Sequence, residues 1–159
     1  MENTLMNQQL LALTEDCSDT LANLSNTAAL LWQEMQEINW VGFYVLRDNS
    51  LILGPFQGKP ACTVIPVGSG VCGRAVEENQ IQRISNVHAF PGHIACDSAS
   101  NSEIVLPVYK EGRIWGVLDI DSPVLNRFSP EDERELRASA DIISSFLDRC
   151  RAGAIDRTV

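Results

Sequence analysis

The stretch EIVLPVYKEGRIWGVLDID, residues 103–121, decides the fold, because apolar residues recur at every second position on both sides of a short polar break. Such alternation predicts two half-buried β-strands joined by a turn. We expect one core to be faced by the even-numbered apolar residues of both strands, Ile104, Leu106, Val108, Ile114, Leu118 and Ile120.

This shared face determines the register of the predicted hairpin. Residues opposite one another in an antiparallel pair share a face, so their numbers must have an even sum, which requires a turn of odd length. We expect a three-residue turn at residues 111–113, with Glu103 opposite Asp121 and Asp119 on the same odd-numbered face. Carboxylates gathered in this way usually bind a cation or keep one acid protonated. The alternative is that Asp119 and Asp121 simply end a strand and begin a turn.

Helical patterns lie on both sides of the strand region. Residues 18–38 carry an apolar stripe at spacings of three and four, and residues 2–14 suggest a shorter helix. Ser129 followed by Pro130 and two acids is typical of a helix start. The last helix should bury Leu136, Ala140, Ile143 and Leu147. We expect residues 151–159 to form a flexible tail.

The middle of the chain alternates short strands with breaks. Residues 40–46 predict a strand that puts Trp40 and Tyr44 on one face, usually a core or sheet face, and a second strand follows from residue 51. Glycines and prolines between residues 54 and 60 predict a loop leading to Cys62 and a strand at residues 63–67. A helical turn at 74–80 and a strand at 81–84 follow. Residues 1–150 thus predict one α+β domain, with terminal helices on one face of an antiparallel sheet and functional loops on the other.

Charge and hydropathy exclude several classes of function. The net charge is −9, with a pI near 4.6 and no basic run, so we expect binding to neither nucleic acid nor membrane surfaces. No stretch approaches the ~20 apolar residues of a membrane span, and the N-terminal residues lack the pattern of a signal peptide. We therefore expect a cytoplasmic protein, whose five cysteines are normally reduced.

Three of the cysteines lie in predicted loops. Cys62 and Cys72 have glycine or proline neighbours, and Cys96 lies in the polar segment HAFPGHIACDSASNSE, residues 88–103. A connection of this length is uncommon unless it is functional or disordered, and both interpretations are considered. Exposed thiols beside an acid could support redox chemistry, which needs an attacking thiolate, a resolving thiol and a proton donor. Cys17 and Cys150, in predicted helices, are interpreted as core residues.

A zinc site built from the three loop cysteines and a histidine is the competing interpretation. His88 and His93 lie in the same segment as Cys96, although either could merely hydrogen-bond the loop. The cysteines are ten and twenty-four residues apart, without the close Cys-x2-4-Cys pair of structural zinc sites. We therefore predict no metal.

Several segments together resemble one family. WVGFYVL, LGPFQGKPAC, GVCG, HAFPGHIACDSASNSEIVLPV and GVLDIDSP are similar to segments of the free methionine-(R)-sulfoxide reductases, which are single GAF domains. The resemblance runs from about residue 40 to residue 123 and implies a GAF-like fold and a thiol-dependent reduction of free L-methionine-(R)-sulfoxide. It implies no bound cofactor. The external reductant would be thioredoxin, which NADPH and thioredoxin reductase keep reduced. A homodimer is left open.

The resemblance also implies roles for individual residues. Cys96 would be the catalytic thiol, Cys62 the resolving thiol that forms a disulfide with it, and Cys72 a secondary recycling thiol. Glu103, Asp119 and Asp121 would belong to the substrate pocket, and Trp40 and Tyr44 to its apolar wall. Glu103 is our choice of proton donor, because neighbouring acids can keep one carboxyl group protonated. The alternative functions are a GAF-type sensor of a small molecule or oxidant without turnover, and a structural scaffold.

Overall fold

The computed structural model describes residues 3–93, 99–151 and 155. Within them the helices are α1 (Leu5–Thr14), α2 (Thr20–Glu34), α3 (Gly70–Glu78) and α4 (Pro130–Arg149), and a short 3-10 turn spans Val87–Ala89. The strands are β1 (Trp40–Arg47), β2 (Ser50–Gly58), β3 (Val64–Pro66), β4 (Gln82–Ile84), β5 (Ser102–Lys110) and β6 (Arg113–Ser122).

The described strands form one antiparallel sheet in the order β3-β2-β1-β6-β5-β4. Apolar side chains of α1, α2 and α4 pack on one face, against residues such as Phe43, Ile104 and Leu118. Helix α3 packs on the other face, against a second cluster that includes Trp40 and Val105. The predicted α+β arrangement, with the terminal helices on one face of an antiparallel sheet and loops on the other, is confirmed, and the structure adds α3 to the face with the loops.

Local signals set the limits of the helices. The Ser129 hydroxyl accepts a hydrogen bond from the backbone N–H of Asp132, whose carboxylate accepts one from the backbone of Ser129, which is a complete capping box. Asp19 caps α2, which ends at Glu34, four residues before the predicted limit. Cys17 therefore lies between α1 and α2 rather than inside a helix. No described helix combines the length and the apolar character needed to cross a bilayer.

Strand β2 continues through the segment that was predicted to be a loop. Gly54 and Pro55 lie where the register of β1 and β2 shifts, between the pairs Gly42–Phe56 and Tyr44–Leu53. At such a bulge a proline does not need the N–H group that it lacks, so the strand tolerates it. The loop predicted between residues 54 and 60 was therefore wrong for residues 54–58, which belong to β2.

Helix α3 begins four residues earlier than the predicted helical turn at residues 74–80. Its first turn contains Gly70 and Gly73, which usually weaken a helix. A Cβ on Gly73 would lie 2.7 Å from the carbonyl oxygen of Pro66, so this glycine permits close packing between α3 and β3. That packing outweighs the low helix propensity.

The β5–β6 hairpin has the predicted register but not the predicted turn. Pairs from Ser102–Ser122 to Val108–Gly116 keep the even sum, whereas Lys110 pairs with Arg113 around a turn of only two residues, Glu111 and Gly112. Both turn residues have positive φ angles, of 52° and 76°, as such short turns require. The two registers are reconciled by a bulge after Val108.

The bulge also changes which side chain enters the helix-side core. Trp115 is buried there, whereas Ile114 packs against the opposite cluster. The prediction for Ile114 was therefore wrong. The other five even-numbered residues are buried in the helix-side core, as predicted.

The described residues beyond α4 contact the domain. The backbone N–H of Arg151 donates to the carbonyl of Ser18 at 3.0 Å, and the guanidinium group of Arg47 donates to the carbonyl of Ile155 at 3.2 Å. A flexible tail over residues 151–159 stays a prediction.

Candidate active site

A cluster of acids lies on the face of the sheet that packs against α3. Glu103 pairs with Asp121 and Val105 pairs with Asp119, as predicted, because β5 and β6 keep the even register up to this end of the hairpin. Glu103 and Asp119 are buried, with 7% and 5% of their surfaces exposed, and Asp121 is half-buried. The sheet thus removes two carboxyl groups from water at one end of the hairpin.

An aromatic wall adjoins these acids on β1. Trp40 pairs with Asp121 across β1 and β6, and its ring stacks on Tyr44 with centroids 5.9 Å apart. Phe56 of β2 also stacks on Trp40, with ring centroids 5.3 Å apart. A Cβ on Gly42 would overlap the side chain of Phe56, so this glycine is what allows the aromatic rings to approach.

The polar atoms of the same aromatic residues hold the preceding loop in place. The indole Nε1 of Trp40 donates to the carbonyl of Lys59 at 3.1 Å, and the hydroxyl of Tyr44 donates to the carbonyl of Cys62 at 2.9 Å. Both bonds satisfy groups that would otherwise be buried without partners. They fix the loop that carries Cys62 beside the aromatic wall.

Cys72 reaches the acids from the first turn of α3, so the prediction that it lies in a loop as an exposed thiol was wrong. Its side chain is 4% exposed, and its Sγ lies within 4.8 Å of carboxylate oxygens of Glu103 and Asp119, which also lie within that distance of each other. Burial raises the pKa of the Cys72 thiol well above its usual range, and the nearby charges of Asp119 and Glu103 raise it further. Cys72 is therefore a protonated thiol at neutral pH.

The surroundings favour the protonated form more strongly in Glu103 than in Asp119. Burial raises the pKa of Glu103 well above its ordinary value, and the charges of Asp119 and Asp121 add to this effect. The pKa of Asp119 is also raised by burial, but hydrogen bonds from Glu103 and Cys72 oppose the increase. Glu103 is therefore the group that holds the proton, and Asp119 the one that accepts hydrogen bonds.

One carboxylate oxygen of the cluster has no hydrogen-bond partner. Oδ1 of Asp119 is buried and makes no hydrogen bond within the described residues. Neither Glu103 nor Asp119 forms an ion pair with any described lysine, arginine or histidine. Because a buried acceptor without a partner is costly, this oxygen indicates a place for a bound donor or cation.

A pocket opens onto the acids, the aromatic wall and α3. Its volume is about 50 Å³, enough for several water molecules. The pocket is lined by Trp40, Tyr44, Pro60, Ala61, Ile65, Ser69, Gly70, Val71, Cys72, His93, Ser100, Glu103, Asp119 and Asp121. It therefore combines an apolar wall with an acidic floor.

His93 and Ser100 lie on one border of this pocket. Nε2 of His88 lies 2.8 Å from Oδ1 of Asn101, and the ring centroids of His88 and His93 are 6.3 Å apart. Burial and the charge of His88 lower the pKa of His93, while Asp119 partly opposes this change. His93, which was predicted only as a loop or zinc residue, lines the pocket as a neutral imidazole at neutral pH.

The cysteines differ in their burial and in whether they are free thiols. Cys72 is buried in the pocket, and Cys17 and Cys150 are also free thiols. Cys62 is half-buried next to the pocket residue Ala61 and is disulfide-bonded. Cys96 lies outside the described residues.

Comparisons with known proteins agree with this geometry. A family described as "GAF domain" matches residues 21–148. A free methionine-R-sulfoxide reductase of Escherichia coli is 59% identical over 132 residues, which are 83% of this chain and 80% of that relative. The chain belongs to the free methionine-R-sulfoxide reductase family of GAF domains.

Solved structures of this family share the fold. A Staphylococcus aureus fRMsr in complex with its substrate is 52% identical, with a TM-score of 0.86 over 90% of this chain and 94% of the other. A free methionine-R-sulfoxide reductase from Neisseria meningitidis, also in complex with its substrate, is 42% identical. Its TM-score is 0.87, over 91% of this chain and 87% of the other.

Sequence reasoning missed three features of this site. Phe56, which stacks on the pocket residue Trp40, lies in one of the quoted segments, but the loop predicted between residues 54 and 60 concealed its place on a strand. Ser100, 6% exposed, accepts a hydrogen bond from the amide of Asn39 at 3.1 Å, and only its position between Cys96 and Glu103 could have indicated it. The first turn of α3, including Val71, was hidden by its glycines.

Proposed function

We propose that this chain reduces free methionine-(R)-sulfoxide to methionine. The observation that supports this most strongly is the buried cluster of Glu103 and Asp119, beside Cys72 and in the same pocket as Trp40, in a chain of this family. A free amino acid carries an ammonium group, which the carboxylates of Asp119 and Asp121 would hold. The sulfoxide end of the side chain would then contact the aromatic wall.

The first chemical step requires a thiol and a proton donor. We propose that Cys96 attacks the sulfoxide sulfur while Glu103 donates a proton to the oxygen. Methionine leaves, and Cys96 becomes a sulfenic acid. Glu103 is suited to this role because burial and the neighbouring carboxylates raise its pKa and so favour the protonated form that a proton donor needs.

A second thiol completes the reduction. Cys62 would attack the Cys96 sulfenic acid, release water and form a disulfide, so that two thiols supply the two electrons that the sulfoxide accepts. The observation that Cys62 is disulfide-bonded, while Cys72 is a free and protonated thiol, supports Cys62 as the resolving residue. Cys72 would act later, as a recycling thiol.

An external dithiol must then regenerate the enzyme. We propose thioredoxin, kept reduced by thioredoxin reductase and NADPH, with no bound cofactor on this chain. A cytoplasmic location fits this cycle, because thiols are kept reduced there. A homodimer stays a prediction.

Selectivity for the free amino acid follows from the acidic floor. A peptide-bound methionine sulfoxide has an amide in place of the ammonium group, so it would leave the carboxylates without a cation. We expect it to be rejected.

Replacement of Cys96 tests this proposal directly. Cys96→Ser should release no methionine from free methionine-(R)-sulfoxide, because serine cannot form the sulfenic acid. The matched control is Cys17→Ser, which removes a half-buried thiol between α1 and α2 and should leave turnover unchanged. Full activity in Cys96→Ser would overturn the proposed role of this residue.

A further inference from the structure

Three potential metal ligands converge in the pocket from three different elements. Cys72 belongs to α3, Glu103 to β5 and Asp119 to β6, and one donor atom from each lies within 4.8 Å of the other two. All three side chains are at least nine-tenths buried. This donor set differs from the three cysteines and a histidine considered from the sequence.

The donor atoms match the needs of Zn²⁺ in type and spacing. Zn²⁺ binds thiolate sulfur at about 2.3 Å and carboxylate oxygen at about 2.0–2.2 Å, so in a tetrahedral site its ligand atoms lie about 3.4–3.6 Å apart. Movements of about 1 Å would therefore bring these three ligands onto one ion. Water from the pocket can fill the fourth position.

The charge of the cluster independently favours a cation. Oδ1 of Asp119 is buried without a hydrogen-bond partner among the described residues, and it belongs to a side chain that lines the pocket. Two carboxyl groups and a thiol are held together there, and neither Glu103 nor Asp119 has a described ion-pair partner. A divalent ion would supply the missing partner of this oxygen and offset the negative charge that Cys72 and Glu103 acquire when they lose their protons.

We propose that Cys72, Glu103 and Asp119 form a binding site for a divalent transition-metal ion such as Zn²⁺, and that the bound ion excludes the substrate. The ion displaces the protons of Cys72 and Glu103, so its binding releases protons. Metal binding depends only on the cluster. Exclusion of the substrate rests on the proposed function, because it requires the same carboxylates to hold the substrate ammonium group.

Co²⁺ is the probe that tests the site, because a thiolate ligand gives it a charge-transfer absorption in the near ultraviolet. The experiment uses a reduced, desalted Cys62→Ser/Cys96→Ser protein. Of the three cysteines assigned to the redox cycle, only Cys72 then keeps its thiol. We expect a band that saturates at one Co²⁺ per chain and is displaced by Zn²⁺. Adding Cys72→Ser should abolish the band, whereas adding Cys150→Ser, which removes a buried free thiol elsewhere, should preserve it.

A second variant distinguishes the loss of a metal-ligating group from unfolding of the protein. Glu103→Gln keeps the shape of the side chain, and in the same protein it should weaken Zn²⁺ binding at least about tenfold, since even the loss of an outer-shell partner costs about 10- to 100-fold. Absence of the band, or a band that survives Cys72→Ser, would overturn the site.

Inhibition of the wild-type chain is measured separately. Zn²⁺ should inhibit competitively with free methionine-(R)-sulfoxide, and EDTA should reverse the inhibition. Saturating Zn²⁺ without inhibition would overturn the exclusion of substrate. If metal-free protein shows no turnover, the proposed function fails, while the Co²⁺ result still decides the site.

Discussion

Glu103 and Asp121 face each other across the β5–β6 pair, and Asp119 lies on the same face of the sheet two positions away. Their burial makes this arrangement costly for the folded protein, because like charges removed from water repel strongly. Glu103 relieves the repulsion by keeping its proton, which is reflected in its raised pKa. The cost is consistent with a site that is completed by a cation from outside.

Glu103→Gln should make the stability of the folded protein less sensitive to a rise in pH above about 4.3. The pKa of Glu103 is higher in the folded state than its value of about 4.3 in an unfolded chain. Between these two values the folded state holds a proton that the unfolded state has lost, so stability falls as pH rises through this interval. Glutamine has no such proton to lose.

Urea denaturation at a series of pH values measures this effect. The decline in the free energy of unfolding, at most about 1.4 kcal/mol per pH unit for one proton, should be shallower in Glu103→Gln than in the parent. Asp141→Asn, at an exposed acid of α4, is the control and should keep the parental profile. Equal slopes for Glu103→Gln and the parent would show that Glu103 is ionised in the folded protein.

Asp119→Asn and Asp121→Asn should weaken substrate binding more than they slow the chemical step. Each change removes one carboxylate that we assign to the substrate ammonium group. We expect KM to rise about 10- to 100-fold, equivalent to about 1.4–2.7 kcal/mol, with a smaller change in kcat. Steady-state kinetics with free methionine-(R)-sulfoxide measures both, with Asp141→Asn as the control. A fall in kcat at constant KM would instead place these acids in the chemical step.

Cys62→Ser should reduce one equivalent of substrate and then stop. Cys96 can still form its sulfenic acid, but the resolving thiol is missing. A rapid-quench experiment measures the amount of methionine released per chain. Cys72→Ser is the comparison variant, and we expect it to continue beyond one turnover. Normal turnover of Cys62→Ser with thioredoxin would identify Cys72 as the resolving thiol instead.

Gly116→Ala should destabilise the domain and the pocket together. A Cβ at this position of β6 would overlap the backbone carbonyl of Tyr44 on the paired strand, which cannot move like a flexible side chain. We expect a loss of about 1–3 kcal/mol in the free energy of unfolding. Denaturant titration measures it. Gly112→Ala is the comparison. Its Cβ would meet nothing within 4 Å in the open hairpin turn, so any loss of stability there comes from the positive φ angle and not from overlap. A Gly116→Ala protein as stable as the parent would show that β1 and β6 can move apart.

The acid cluster could be predicted from the sequence because alternation on two strands fixes which residues share a face. The even-sum rule placed Glu103 opposite Asp121 correctly, since it depends only on the buried face of the hairpin. It could not detect the bulge after Val108, which replaces Ile114 with Trp115 in the core and shortens the turn. Bulges leave little trace in an apolar pattern.

The rest of the pocket depends on tertiary contacts that local propensity opposes. Proline and glycine at residues 54–58 suggest a loop, yet the bulge in the β1–β2 pair accommodates Pro55 and brings Phe56 onto Trp40. Gly73 weakens a helix, yet close packing against Pro66 needs it. The three potential ligands of the proposed metal site come from separate elements, so a spacing rule for sequence motifs could not find them.

The central claim is tested by supplying the purified chain with thioredoxin, thioredoxin reductase and NADPH, together with the separated R and S diastereomers of free methionine sulfoxide and an N-acetylated R control. We predict NADPH consumption with the free R form alone, because the acidic floor needs the ammonium group. The absence of turnover with any of the three, from folded and reduced protein, would contradict the proposed reductase activity and favour a GAF-type sensor.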